Sequence, residues 1–299
     1  MAEIIMCNPF ELYNLLNQFH RVSRLAEINY LWLVDARELQ DYYTSHIVTA
    51  KCMKMESDGK CIFPEDVEAD SMQRIVVYDS NTSCLWEKGR AMHCAQALAK
   101  FSLYPVHILK GGFRRFAALY PFLMTKKILY TITELENVPI YPVEIVAGLL
   151  YMGDQKQSQD TDILKDLTIS AVVNLSHFTQ NDSLESVVGN QTILNIPVTD
   201  SVESDLYSNF QPICRFINSH IRVRSRVLIV SRQGRSRSSA VAIAFLMQHF
   251  KYSLEEAWRY MLKCKSSMRP NTGFLQQLSD WELHITGVKQ ADLSKTPFN

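Results

Sequence analysis

The sequence of 299 residues has no excess of charge of either sign, since 31 Lys and Arg residues balance 31 Asp and Glu residues. A protein that binds nucleic acid or a membrane surface through net charge needs a basic excess, so we expect neither partner. No apolar run reaches the roughly 18 residues of a membrane-spanning helix. The first segment carries Glu3 and Glu11 and no basic stretch before an apolar one, which argues against a secretory signal.

The cysteines follow no C-x-x-C pattern, and their number is odd. Their spacing therefore predicts no zinc site, and we expect neither a metal ion nor another cofactor. Reduced thiols are typical of an intracellular protein, so we expect a cytoplasmic location and leave a mitochondrial pool open. The cysteines are Cys7, Cys52, Cys61, Cys84, Cys94, Cys214 and Cys264.

Short apolar runs alternate with helical patterns in the first half of the chain. Residues 30–36, 74–80 and 104–109 read YLWLVDA, RIVVYDS and YPVHIL, which is typical of strands buried in a parallel sheet. A helical pattern lies between the second and third runs, and Gly111 and Gly112 follow the third. The alternation predicts βαβ units and a parallel sheet.

A second set of strand and helix patterns begins near Pro142, after a stretch that Pro139 interrupts. The residues that follow this set are polar, and we expect them to be frayed. We therefore predict a first domain at 1–130, a linker at 131–141, a second domain at 142–288 and a polar tail at 289–299.

The sharpest local signal lies at residues 226–247, which read RVLIVSRQGRSRSSAVAIAFLM. A buried strand is followed by a short loop with Gly234 and then by an apolar helix. Backbone N–H groups and the helix dipole favour an anion at such a junction, and Arg237 can add a bidentate clamp. No Asp or Glu occurs over 206–254, whereas eight Lys or Arg residues do, so we expect an anion site rather than a solvated basic face. The residues expected to hold the anion are Ser231, Arg232, Gln233, Gly234, Arg235, Ser236, Arg237 and Ser238.

The segment VSRQGRSRS resembles the signature loop of the dual-specificity protein phosphatases, which reads His-Cys, five residues, Arg and then Ser or Thr. The segment NIPVTDS resembles the general-acid segment of this family, with Asp200 in the place of the acid, and RPNTGFLQQLSDWE resembles its last helix. The resemblance covers the second half of the chain. It implies a mixed sheet with helices on both faces and a loop that binds phosphate.

The chain departs from this family at the nucleophile, because Val230 and Ser231 stand where the family has His and Cys. A thiol of pKa about 8.5 becomes a thiolate in such a loop, whereas a serine hydroxyl needs an adjacent general base. Neither Val230 nor the loop arginines can accept a proton. We interpret the nearest histidines, His177 and His220, as ordinary surface or core residues. We therefore expect no catalytic residue. Two interpretations of the loop stay open: it holds a phosphorylated Tyr, Thr or Ser, or a sulfate-like anion, without turnover, or it is a vestigial loop that serves only the fold.

The first half of the chain resembles the rhodaneses over about residues 8–125. Asp35 and Arg37 stand in the Asp-x-Arg place, HIVTA (46–50) follows, and VHILKGGFRRF resembles the later Gly-Gly segment. An active rhodanese has its cysteine directly after the central strand, where this chain has Asp79. A carboxylate cannot accept sulfur and repels anions, so we expect no sulfur transfer.

Cys84 and Arg90 also satisfy the pattern of a cysteine, five residues and an arginine. Leu85 and Trp86 are too bulky for a phosphate loop, and Gly89 stands at the wrong place. We therefore interpret this match as a coincidence, with Cys84 an ordinary thiol.

A rhodanese-like domain before a dual-specificity phosphatase domain is the layout of the MAP kinase phosphatases. Their kinase-docking segment has paired arginines, whereas AKCMKMESDGK has Lys51, Lys54 and Lys60 interrupted by Glu56 and Asp58, so we expect no strong MAP kinase docking. Together the resemblances imply an α/β chain of two three-layer domains, a parallel sheet followed by a mixed sheet.

The resemblances and the missing cysteine together indicate a pseudophosphatase in signalling. The expected partners are phosphorylated signalling proteins, whose phosphosites it would shield, or an active phosphatase that it would restrain. Two alternatives remain: a weak phosphatase with a non-cysteine nucleophile, and a sulfurtransferase.

Overall fold

The computed structural model describes residues 1–20, 22–55, 61–62, 68–176, 191–295 and 297–298. The chain divides into two compact units, Met1–Ile140 and Tyr141–Asn299. Most of the predicted linker therefore belongs to the first unit, where residues Ile132–Glu136 form a helix that packs against the 3-10 helix Arg24–Ala26.

The first unit is built on a five-stranded parallel sheet. The described strands of the whole unit are β1 (Ile4–Cys7), β2 (Trp32–Asp35), β3 (His46–Ile47), β4 (Lys51–Cys52), β5 (Lys54–Met55), β6 (Cys61–Ile62), β7 (Ile75–Tyr78), β8 (Val106–Leu109) and β9 (Met124–Thr125). The strand order of the large sheet is β1-β8-β7-β2-β4, with every neighbouring pair parallel. Strands β3 and β9, and β5 and β6, form two small antiparallel pairs. The predicted parallel sheet is confirmed.

Five α-helices and two 3-10 helices of the first unit are described. They are α1 (Pro9–Leu16), α2 (Leu39–Thr44), α3 (Arg90–Leu98), α4 (Gly112–Leu119) and α5 (Ile132–Glu136), with 3-10 helices at Arg24–Ala26 and Pro121–Leu123. Strand β7 lies in the middle of the sheet and is wholly buried, as the apolar run RIVVYDS predicts. The buried face of α3 packs on β7 and β8. The loop between β7 and α3 begins where β7 ends, so it lies at the carboxyl end of the sheet.

The second unit is built on a mixed sheet. Its strands are β10 (Val143–Val146), β11 (Leu150–Asp154), β12 (Ile169–Asn174), β13 (Thr192–Asn195) and β14 (Arg226–Ser231), in the order β10-β11-β14-β12-β13. Only the β10–β11 pair of this sheet is antiparallel among the described residues. The predicted α/β class, with a mixed sheet in the second half, is confirmed.

Six helices of the second unit are described, and one of them is almost entirely enclosed. They are α6 (Gln155–Gln159), α7 (Thr161–Asp166), α8 (Tyr207–Arg222), α9 (Arg237–Phe250), α10 (Leu254–Cys264) and α11 (Thr272–Thr286). Helix α9 is buried from Arg237 to Met247, because β14, α8, α10 and α11 surround it. A helix that is apolar on all sides needs such surroundings. The start of α9 is thereby fixed at the carboxyl end of the central strand β14.

The described end of the polar tail lies on α10, although we expected fraying. Phe298 packs edge-on against Trp258 with ring centroids 5.2 Å apart, and the indole N–H of Trp258 donates a hydrogen bond of 3.0 Å to the Pro297 carbonyl. These two apolar residues explain the difference, because they cover the Trp258 ring. Within the described ranges, no helix has both the length and the apolar character needed to cross a membrane.

Candidate anion-binding site

The loop between β14 and α9 turns sharply at one glycine. Gly234 adopts φ +62°, and its N–H donates a hydrogen bond of 3.1 Å to the Ser231 carbonyl. A Cβ atom at this position would lie 2.7 Å from the carbonyl oxygen of Gly153 in β11. Only glycine tolerates both the positive φ and this close approach, so the tight curvature of the loop depends on it.

Ser231 ends β14 and is buried, with its hydroxyl at the base of the loop. Its Oγ donates a hydrogen bond of 3.0 Å to the Oγ of Ser238, in the first turn of α9. Val230 is fully buried in β14, between β11 and β12. His220 hydrogen-bonds its own helix, with Nδ1 2.9 Å from the Phe216 carbonyl, and His177 lies outside the described residues. No described carboxylate or imidazole hydrogen-bonds the Ser231 hydroxyl.

Arg237 lies at the start of α9, and its guanidinium group is anchored inside the unit. Nη1 donates hydrogen bonds to the carbonyl oxygens of Leu175 (3.0 Å) and Val198 (2.8 Å). Burial lowers the pKa of Arg237 from its ordinary value, and Arg232 acts in the same direction, whereas Asp200 raises it. Its Nε makes no hydrogen bond among the described residues. Arg237 is therefore a fixed, charged group with an unused donor.

Asp200 lies next to the loop between β14 and α9. Its Oδ2 lies 3.8 Å from the Arg237 Nε, while its Oδ1 accepts hydrogen bonds from the Ser236 hydroxyl (2.6 Å) and the Asn271 side-chain amide (2.9 Å). The backbone N–H of Asn271 donates in turn to the Ser236 hydroxyl, at 3.2 Å. The Asp200 carboxylate therefore occupies donors that an incoming anion would use.

A cavity of about 830 Å³ opens above the loop. Six of the eight predicted anion-binding residues line it, whereas Gly234 shapes the turn and Ser238 holds Ser231. The lining residues are Gln155, Ser176, Thr199, Asp200, Ser231, Arg232, Gln233, Arg235, Ser236, Arg237 and Arg269. The sequence analysis did not single out Gln155, Ser176, Thr199 or Arg269 as site residues. Gln155 and Ser176 follow parallel strands, whose carboxyl ends meet at one sheet edge, and that signal could have found them.

A second loop with the same strand–loop–helix order follows β7 in the first unit, and Asp79 fills it. The Oδ1 atom of Asp79 accepts hydrogen bonds from the backbone N–H groups of Asn81 (3.1 Å) and Thr82 (2.9 Å). Its Oδ2 accepts from the Thr82 hydroxyl (2.7 Å) and from the Ala91 N–H (3.2 Å), in the first turn of α3. Burial opposes ionisation, but these four hydrogen bonds lower the pKa of Asp79 below its ordinary value. The carboxylate therefore occupies this loop as an internal anion.

Comparison with known protein families gives one match for each of the two chain segments that contain these loops. Residues 17–119 match the family described as "Rhodanese-like domain", and residues 150–284 match "Dual specificity phosphatase, catalytic domain". The chain is homologous to the rhodanese-containing dual-specificity phosphatases. The loop after β7 thus lies in a rhodanese-like domain, and the loop after β14 lies in a phosphatase domain.

Two curated relatives are each 28% identical to the chain over the aligned residues. The "Dual specificity protein phosphatase 16" of Homo sapiens is 28% identical over 275 residues, which are 85% of this chain and 41% of that protein. The "Probable rhodanese domain-containing dual specificity protein phosphatase" of Dictyostelium discoideum is 28% identical over 215 residues, 70% of this chain and 44% of that protein. The chain therefore spans less than half the length of these two relatives. The crystal structure of human DUSP28 is 27% identical, with a TM-score of 0.45, and the match covers 48% of this chain and 98% of that one.

In the rhodanese-like domain, Asp35 and Arg37 form a buried ion pair, with Arg37 Nη2 2.6 Å from Asp35 Oδ2. The same Nη2 donates to the Ser45 carbonyl at 2.7 Å, and the guanidinium group lies 3.8 Å from the centroid of the Phe113 ring. His46 is buried, with Nδ1 3.0 Å from the Tyr42 carbonyl. These motif residues therefore hold the ends of β2 and β3 in place.

Cys84 and Arg90 have separate partners and do not form one anion-binding loop. The Cys84 thiol donates a hydrogen bond of 3.3 Å to Glu87 Oε1, whereas Arg90 donates to the Ala36 carbonyl at 2.6 Å and pairs with Glu38. The loop N–H groups of the rhodanese-like domain point to Asp79 instead, which agrees with our interpretation of this match as a coincidence.

The segment AKCMKMESDGK, where we expect no strong MAP kinase docking, is only partly described. Lys51 lies on β4 and Lys54 on β5, whereas Glu56, Asp58 and Lys60 lie outside the described residues.

The described part of the chain holds no group of three His, Cys, Asp or Glu residues arranged for a metal ion.

The contact between Asp200 and Arg237 leads to a first prediction in the phosphatase domain. Replacing Asp200 by Asn removes a negative charge 3.8 Å from Arg237 but leaves an oxygen for the Ser236 hydroxyl. Opposite charges at about 4 Å attract strongly at the dielectric of a protein surface, and Asp200 competes with any ligand anion. Because the Asp200 side chain is 38% exposed, screening reduces this effect, and we expect phosphotyrosine to bind about three- to tenfold more tightly.

The measurement is a calorimetric titration with phosphotyrosine at pH 7.5. Glu203→Gln is the matched control, since Glu203 is an exposed acid of the same segment that hydrogen-bonds Ser201 and does not line the cavity. Equal or weaker binding by Asp200→Asn would show that the carboxylate does not compete with ligands.

Proposed function

We propose that the chain is a pseudophosphatase, a catalytically inactive protein phosphatase that binds phosphorylated signalling proteins. It acts by shielding phosphosites from active phosphatases or by binding and restraining such a phosphatase. The observation that carries the proposal is the combination of an unactivated hydroxyl, that of Ser231, with an anchored Arg237 at the two ends of the loop between β14 and α9.

The chemistry of Ser231 argues against turnover. A serine becomes a nucleophile only when an adjacent base takes its proton, and the Ser231 hydroxyl donates instead to another hydroxyl, that of Ser238. Asp200 hydrogen-bonds Ser236 and Asn271, and it does not contact Ser231. A general acid for the leaving group cannot replace a missing nucleophile.

The same geometry favours retention of a phosphate group. A thiolate at the base of the loop would repel a phosphate dianion, whereas the Ser231 hydroxyl can rotate away from Ser238 and donate its hydrogen bond to the phosphate. The N-terminus of α9 and the free donor of Arg237 add favourable electrostatic interactions with an anion. Binding therefore requires no chemical step at the loop.

The decisive experiment is a titration of a phosphotyrosine peptide into the unmodified chain and into Arg237→Met. We expect the variant to bind about 10- to 150-fold more weakly, because a charge-assisted contact contributes roughly 1.5–3 kcal/mol. Arg215→Met is the matched control, since Arg215 is an exposed residue of α8 that does not line the cavity. Binding that is equally strong in Arg237→Met and in the unmodified chain would refute phosphate recognition by this loop.

A further inference from the structure

Two cysteine side chains of the rhodanese-like domain meet in its core. Cys61 begins the short strand β6, and Cys94 lies in the middle of α3, where it is fully buried. Both belong to one cluster of buried side chains between the large sheet and α3, and their thiols share a hydrogen bond. Two sulfur atoms in such contact need only a small approach to reach the S–S bond length of about 2.05 Å.

A cation lies on the same side of α3 as this pair. Arg90 precedes Cys94 by four residues, so the two side chains share one face of the helix. The Arg90 guanidinium group is held by the Ala36 carbonyl, at 2.6 Å, and by Glu38. The hydrogen bond from Cys94 lowers the pKa of Cys61 to about 7, and Arg90 acts in the same direction, whereas burial opposes both. The nucleophilic sulfur of the pair is therefore that of Cys61.

The environments of other cysteines in the described ranges are different. Burial raises the pKa of the thiols of Cys7, Cys52 and Cys214. The thiol of Cys84 donates its hydrogen bond to the carboxylate of Glu87. In the core pair, a nucleophilic sulfur has a second thiol as its hydrogen-bond donor, and this is the arrangement in which a sulfenic acid is converted to a disulfide.

A small oxidant can approach this pair from the side of β6. Cys61 is 7% exposed, and the next residue, Ile62, is 45% exposed, so β6 runs at the surface of the domain. Cys94 lies behind it in the core. Hydrogen peroxide is little larger than water and carries no charge, so it reaches Cys61 before Cys94.

We propose that Cys61 and Cys94 are an oxidation site, at which hydrogen peroxide produces a reversible disulfide that joins β6 to α3. This site is independent of the proposed function, since both residues lie in the rhodanese-like domain and the phosphate loop takes no part in the reaction.

The reaction consumes one peroxide molecule and releases two water molecules. The sulfur of Cys61 attacks one peroxide oxygen, the O–O bond breaks, and the departing hydroxide takes the thiol proton as the first water. The sulfur of Cys94 then attacks the sulfenic sulfur of Cys61, the S–O bond breaks, and the hydroxide that leaves takes the Cys94 proton as the second water. The two sulfur atoms together lose the two electrons that the peroxide gains.

The disulfide closes residues 61–94 into one covalent loop that contains β7 and the start of α3. A cross-link over a loop of this length restricts the open chain more than the folded one. We therefore expect the backbone amides of residues 91–98 to exchange with solvent at least about tenfold more slowly in the oxidised chain.

The experiment treats the full chain with hydrogen peroxide near pH 7.5, blocks the remaining thiols and identifies disulfide-linked tryptic peptides by mass spectrometry. Trypsin places Cys61 and Cys94 in the peptides 61–74 and 91–100, each of which contains one cysteine. We expect this linked pair to exceed every other cysteine pair at least about tenfold, and dithiothreitol to remove it. The matched control Cys84→Ser replaces another thiol of the same domain and should leave the pair unchanged.

Two variants test the order of the steps. Cys94→Ser should accumulate a sulfenic acid at Cys61, which dimedone traps, whereas in Cys61→Ser the thiol of Cys94 should stay reduced. Linked peptides that are missing from the folded, oxidised chain, or equally abundant for Cys84, would overturn the oxidation site. A disulfide that forms without slower amide exchange of residues 91–98 would overturn the constraint between β6 and α3.

Discussion

The double variant Val230→His with Ser231→Cys is expected to hydrolyse p-nitrophenyl phosphate at least about 100-fold faster than the unmodified chain. Cysteine supplies a thiol whose pKa the start of α9 can lower. The Ser238 hydroxyl, 3.0 Å from the Ser231 Oγ, is placed to donate a hydrogen bond to the resulting thiolate. Arg237 then stabilises the transferred phosphoryl group, and Asp200 lies close enough to the loop to serve as the acid.

Initial rates of nitrophenol release measure this gain, with Ser231→Cys alone as a second variant because Val230 is fully buried and histidine must fit between two strands. Adding Arg237→Met to the double variant should abolish the gain and exposes any contaminating phosphatase. Inactivity of a folded double variant would mean that other parts of the site also depart from the geometry that turnover needs. Turnover by the unmodified chain that disappears in Ser231→Ala would favour the alternative of a non-cysteine nucleophile.

Asp79→Ala should lower the free energy of unfolding of the rhodanese-like domain by about 3 kcal/mol. The substitution removes an acceptor of four hydrogen bonds and leaves the N–H groups of Asn81, Thr82 and Ala91 inside the loop without it. Unsatisfied buried donors carry the full cost of desolvation, which is larger than the net worth of the bonds. Hydrogen-exchange mass spectrometry of residues 75–98 reads this domain separately from the rest of the chain.

Asp70→Ala provides the control, since Asp70 is an exposed acid of the same unit. The pKa of Asp79 is lowered in the folded state, so its stabilisation is present above its unfolded value of about 3.9 and is lost as the pH falls through the lowered value. The difference between the unmodified chain and Asp79→Ala should therefore shrink below about pH 4. A difference that does not change with pH, or no difference at neutral pH, would contradict the role of the carboxylate.

Local patterns predicted the parts of the fold that depend on short segments. The run RVLIVS became β14, and the apolar stretch after Arg237 became α9, because burial of these residues on all sides leaves few other structures open to them. The eight predicted anion-binding residues, from Ser231 to Ser238, were placed from the same signal and from the resemblance. The mixed order of the second sheet followed from the resemblance, since one sequence does not determine which strands pair.

Contacts between distant segments could not be read from the sequence. Arg269 and Asn271 approach the loop only because α11 packs on α9, and the hydrogen bonds between Asp200, Ser236 and Asn271 depend on that packing. Asp79 was expected to repel anions. Its hydrogen bonds add that the carboxylate itself satisfies the loop, which requires the positions of Thr82 and Ala91 in space.

The carboxylate of Asp200 in the cavity affects which anions bind there only weakly when many different ones are present. Any ligand anion must displace the Asp200 carboxylate from its contacts with Arg237 and Ser236. A singly charged metabolite therefore replaces one negative group with another and gains little binding free energy. A doubly charged ester brings more negative charge than the Asp200 carboxylate that it displaces. Asp200 therefore favours the binding of such esters over that of singly charged organic acids.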